Sequence, residues 1–125
     1  MDLKEQCDLA IEMWEHIKQE IAADPDICVG TLRTAFMIDK PVRWLHDCIF
    51  CNIFYDVMEK KCSLECPLAK YVGRIDSTYP TLCAEINTPY EIVSDTRAYL
   101  PHRLEACDLI IAEIRDYKIS LEEIE

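Results

Sequence analysis

From Leu3 onward, apolar side chains recur at Leu3, Cys7, Ala10, Trp14, Ile17 and Ile21, in alternating steps of four and three. That period lines one face of a helix and leaves Glu5, Asp8, Glu12, Glu15 and Glu20 on the wet side. The spacing predicts an amphipathic helix that stops near Asp24-Pro25. The run Ile27-Cys28-Val29 reads as extended or buried, and Gly30-Thr31-Leu32 opens a short helix through Phe36 and Met37. Next, Asp39-Lys40-Pro41 joins a side chain that can accept first-turn N–H bonds to a proline whose fixed φ suits a helix start. A helix over Val42–Met58 is therefore expected. Its apolar positions, from Val42, Trp44 and Leu45 through Phe54 to Met58, wrap almost all the way round, as in a central buried helix.

Residues 59–88 contain Pro67, Gly73 and Pro80 and have weak periodicity, so loops are expected there, with one short helix near Pro67–Tyr71. Thr88-Pro89-Tyr90-Glu91 has the form of a helix start: a capping threonine, a first-turn proline and a glutamate that reaches back to the cap. That helix runs toward Tyr99, where Pro101 kinks or ends it. A final stripe, Leu100, Leu104, Cys107, Ile111 and Ile114, marks the last long helix, and Ser120 with Glu123 has the spacing to cap one further short turn. Neither an internal repeat nor a linker interrupts the pattern. The fold class implied is all-α, a single domain over residues 1–125 with four to five bundled helices and an irregular cysteine-rich metal-binding insert.

Composition narrows the chemistry. The chain has 125 residues and only two glycines, Gly30 and Gly73. Glycine-rich phosphate loops cannot be built from that. The uncharged run between Asp47 and Asp56 is far shorter than the roughly 20 residues of a membrane-spanning helix. Met1-Asp2-Leu3-Lys4-Glu5 lacks the cationic and then apolar pattern of an export signal, so a cytoplasmic protein is expected.

The formal charge is −11, and it is unevenly placed. Residues 1–26 carry eight acids against Lys4 and Lys18, and residues 105–125 carry seven against Arg115 and Lys118, whereas residues 27–104 are neutral. Such ends repel phosphate backbones, which disfavours direct nucleic acid binding, and they attract a basic protein partner. The plainer reading is that acidic faces simply keep a small protein in solution.

Eight cysteines are the compositional outlier. Cys7 and Cys107 fall on the core stripes of the terminal helices and Cys28 lies in an apolar run, so these three read as small buried hydrophobes. The other five cluster: Cys48-x2-Cys51, then Cys62-x3-Cys66, then Cys83. Two close pairs joined by a short connector suit a tetrahedral cation, and Cys48, Cys51, Cys62 and Cys66 are the expected metal ligands, with Cys83 the substitute for any one of them. Lys60, Lys61 and Lys70 lie close by to offset a doubly negative thiolate site. His46 is a weaker candidate, better read as a half-buried side chain beside Trp44. Disulfides are disfavoured without an export signal. Zinc is the expected ion; an iron–sulfur cluster is the alternative, although the C-x2-C-x2-C run of ferredoxins is absent.

The string Cys48-x2-Cys51, Cys62-x3-Cys66-Pro67-Leu68, Gly73, Cys83 and Thr88-Pro89-Tyr90 resembles small cysteine-rich proteins of bacteriophages and bacteria. Those proteins pair a C-x2-C with a second close cysteine pair running into Pro-Leu or Pro-Ile, then a lone Cys and a Pro-Tyr. The likeness covers about residues 44–91 and implies no particular activity; here the second pair is spaced by three residues rather than the commoner two.

No hydrolytic constellation accompanies the thiols. None of the four serines lies in a GxSxG elbow, and His16, His46 and His102 do not form an HExxH pair. His16 and His102 read as residues of solvated helix faces. An all-cysteine metal set is closed, without the open position that catalysis needs. The expected function is therefore non-enzymatic: a zinc-stapled, acidic helical protein acting through protein–protein contact, in its sharpest form a phage-encoded inhibitor of a basic nucleic-acid-binding host protein. The alternatives are an iron–sulfur or dithiol redox protein, and a plain bundle with incidental cysteines.

Overall fold

In the computed structural model, residues 2–42, 44, 49–56, 61–62, 67 and 89–124 are described. Among them the chain is all-α, with five helices and one minimal ladder: α1 (Leu3–Ala23), α2 (Val29–Met37), α3 (Ile49–Phe54), β1 (Tyr55–Asp56), β2 (Lys61–Cys62), α4 (Pro89–Ser94) and α5 (Leu100–Ile124).

α1 starts where Asp2 accepts the Glu5 N–H at 2.8 Å, an N-cap bond that holds the Asp2 carboxyl below its usual pKa. It ends at Asp24, whose N–H still bonds the Glu20 carbonyl. The expected stripe is buried from Cys7 to Ile21, Leu3 being half-buried, and Leu9 and Met13 are buried with it, because α1 is covered by α5, α2 and α3 rather than along one seam. Trp14 is fully enclosed and meets Tyr90 edge to face, with ring centroids 6.3 Å apart.

α5 runs antiparallel to α1. Three ion pairs set the register: Lys118–Asp8 at 2.7 Å, Arg115–Glu15 at 3.1 Å and Lys18–Asp108 at 2.8 Å. Solvent-exposed pairs of this kind contribute about 0–1 kcal/mol each, so they align the helices more than they hold them. Adhesion comes from the seam beneath, where Cys107, Ile110 and Ile114 are fully buried against α1.

Three expectations are corrected. The helix over Val42–Met58 is not continuous: residues 38–42 and 44 are turns or irregular, and among the described residues of that span helix runs from Ile49 to Phe54 before the backbone turns extended at Tyr55. Asp39-Lys40-Pro41 is accordingly no helix start. Long-range bonds hold Trp44 instead, since its carbonyl accepts from Arg33 Nη1 at 2.9 Å and its indole N–H donates to Gln6 Oε1 at 3.1 Å. Pro101 neither kinks nor ends a helix; it lies in the first turn of α5, where a missing N–H costs nothing. Ser120 caps nothing, because α5 is continuous to Ile124 and the Ser120 hydroxyl donates to the Tyr117 carbonyl at 2.7 Å. The short helix expected near Pro67–Tyr71 lies outside the described residues, Pro67 excepted.

Arg103 is fully buried in the first turns of α5. Its Nε donates to the Val93 carbonyl at 3.0 Å, and its Nη1 donates to the Pro25 carbonyl at 2.8 Å. One side chain thus ties α4 and the α1–α2 turn to α5. Replacing Arg103 with Ala is expected to cost about 3 kcal/mol or more, since it leaves both carbonyls unpaired and opens a cavity. Arg103→Lys, which cannot reach two divergent carbonyls, should recover only part of that, as read by urea denaturation at neutral pH.

Candidate functional site

The cysteine-bearing region is built on a chain reversal. α3 carries Cys51 and passes directly into β1, and β2 carries Cys62. The two strands pair antiparallel with Tyr55 opposite Cys62 and Asp56 opposite Lys61. Directly opposed residues in such a ladder have Cα atoms about 4.5–5.5 Å apart. Cys51 lies four residues before Tyr55, about 6 Å along the helix axis. The backbone of Cys51 and that of Cys62 therefore lie toward the same end of the hairpin. Cys48, Cys66, Cys83 and His46 lie outside the described residues. Among the described residues, no three His, Cys, Asp or Glu side chains are grouped to hold a metal.

The remaining cysteines divide. Cys7 and Cys107 are fully buried free thiols, as their stripes require. Burial, reinforced by the neighbouring Asp8, pushes the Cys7 thiol up to about 11. Burial beside Asp108 pushes Cys107 up to about 12. Both remain neutral and unreactive at physiological pH. Cys28 departs from expectation and is exposed. Cys28 is the extended N-cap residue of α2, at φ −79° and ψ 135° between the bend at Ile27 and the helix that starts at Val29, and it is exposed while Ile27 and Val29 pack on the core.

The two described histidines, His16 and His102, occupy helix faces and have ring neighbours. His16 stacks on Phe36 with centroids 5.6 Å apart, and the Lys40 ammonium lies 4.7 Å from the Phe36 centroid. His102 is exposed and meets Tyr99 edge to face at 5.1 Å.

Electrostatics provides the second candidate surface. The cations Lys18, Arg115 and Lys118 all point into the α1–α5 seam. Outside it, Glu5, Glu12, Glu105, Asp116 and Glu123 are exposed. Sequence reasoning located this charge along the chain but missed Arg103. A cation at the start of the line Arg103, Cys107, Ile110, Ile114 and Tyr117, in steps of four and three, was the available signal. Among the described residues no helix is long and apolar enough to cross a membrane. Compared with known proteins, the chain matches no family model, no curated protein and no solved structure.

Two measurements follow from the thiols. With iodoacetamide at neutral pH, peptide mass spectrometry should find Cys28 modified in the native protein and Cys7 and Cys107 modified only after unfolding. Because the folded pKa values of Cys7 and Cys107 lie above the ordinary value of 9.0, the unfolded chain loses these protons first. Their contribution to stability is whole below about pH 9 and falls as pH rises toward the folded values. Cys107→Ala should lower the melting temperature at pH 7 but flatten the alkaline decline.

Proposed function

We propose that the protein is a non-enzymatic binding module, a helical frame stapled by a metal ion that engages a basic partner protein through its acidic helices. The observation that carries this reading is the placement of charge. Three of the four cations in the terminal segments are used between α1 and α5, which leaves the outer faces of both helices acidic. A surface of this sign accelerates encounter with a cationic partner and resists nucleic acid. An inhibitor that covers the nucleic-acid groove of a basic protein is the sharpest form of the proposal.

The staple is zinc held by Cys48, Cys51, Cys62 and Cys66. Its support is the antiparallel register that brings the Cys62 backbone beside Tyr55, one helical turn from Cys51. Lys61, adjacent to Cys62, supplies positive charge where four thiolates around a dication would leave an excess of two negatives. Metal binding at such a site contributes to folding directly.

Elemental analysis of protein purified without added metal should find one zinc per chain. Cys→Ser at 48, 51, 62 or 66 should abolish it, whereas Cys83→Ser should not. A brown protein with absorbance near roughly 400 nm would assign an iron–sulfur cluster instead. Metal-free protein that melts unchanged in chelator would end the staple proposal.

A further inference from the structure

α5 has a face that no part of the described structure covers. Along its outer line, Glu105, Leu109, Ala112, Asp116, Ile119 and Glu123 follow one another in steps of four and three, and all six are exposed. Acids and apolar groups share that line. Leu109 is 40% exposed and Ile119 51%, high values for large aliphatic side chains on a helix whose other face is packed. At its N-terminal end the line borders a groove of about 620 Å³ between α4 and α5, which Leu109 and Glu105 also line. Ile92 and Ala106 supply further apolar lining, and Glu91 and Asp95 bring acid from the α4 side. Arg97 and His102 line it too, and Arg97 pairs with Asp95 at 3.6 Å.

We infer that this groove and the outer line of α5 together dock an amphipathic basic helix of a partner protein; the inference rests on the binding-module reading above and locates its surface. Three features specify the occupant. The line from Glu105 to Glu123 extends for about 27 Å, the length of five helical turns. Its apolar positions, Leu109, Ala112 and Ile119, fall on one face at intervals of three and seven residues, the spacing at which one helix receives the aliphatic face of another. Its charged positions are all acidic, so the flanks of that partner helix carry Lys or Arg. Phosphate backbones are repelled by the same acids, and a second copy would bring its own acidic outer faces against them.

The probe is a fluorescent peptide of about 14 residues, four helical turns, with Leu and Lys at helical spacing, compared with oligolysine of equal charge. Anisotropy titration at roughly 0.15 M salt should show saturable binding of the Leu-Lys peptide that weakens as salt rises. Glu105→Lys and the pair Leu109→Ser with Ile119→Ser should each weaken it by about tenfold, while Glu12→Lys, an equal charge change on the outer face of α1, should weaken it by less than about threefold. These side chains are exposed, so circular dichroism should be unchanged. Equal losses from Glu12→Lys and Glu105→Lys, or oligolysine binding as tightly as the Leu-Lys peptide, would overturn the docking surface while leaving the binding-module reading in place. Absence of binding by either peptide would remove both. Dimerisation in analytical ultracentrifugation that Leu109→Ser abolishes would also overturn the inference, by assigning the line to self-association.

Discussion

A guanidinium enclosed in an apolar core is tolerated only where hydrogen-bond acceptors are fixed around it, and Arg103 imposes that demand on the whole frame. Its two acceptors come from backbone that helices leave unpaired: Val93 in the last turn of α4, and Pro25 just past the end of α1. Carbonyls at helix C-termini also carry partial negative charge, so the cation is met by dipoles rather than by a carboxylate. α4, only six residues long, could not stand alone; the bond to Val93 and the packing of Val93, itself fully buried, hold it on α5.

The α1–α5 seam solves a second problem, that of keeping two acidic helices side by side. Pairing Asp8, Glu15 and Asp108 with the facing cations makes the seam locally balanced, so apolar burial beneath it proceeds without like-charge repulsion across it. The remaining acid is displaced outward. Net charge and fold are thereby linked, because the same few cations that permit the helix pair also leave its outer faces of one sign.

The two long helices were legible because α1 and α5 each repeat a four-three spacing over many turns. The central segment was not. Val42 to Met58 is apolar enough to satisfy either a buried helix or an extended chain, and periodicity cannot separate the two when nearly every position is apolar. What decided it was non-local: Gln6 and Arg33 capture opposite ends of Trp44, partners 38 and 11 residues away. The exposure of Cys28 was hidden similarly, since an apolar triplet reads as buried throughout, whereas Cys28 is the N-cap of α2 and is exposed between two packed neighbours. Of the thiol cluster, the spacing of Cys51 and Cys62 was legible, and the chain reversal from α3 and β1 into β2 was not; the remaining candidate ligand positions lie outside the described residues.

The closest helix pairing in the fold joins segments about ninety to one hundred and ten residues apart in sequence, as the Lys18–Asp108 and Lys118–Asp8 bonds record. Contacts that distant are slow to find, and a chain synthesised from its N-terminus leaves its early segments waiting for late ones. Met13, Trp14 and Ile17 therefore emerge first and acquire α5 last. During that interval a strongly apolar helical face is uncovered, and the acids that flank it make unfinished chains repel one another.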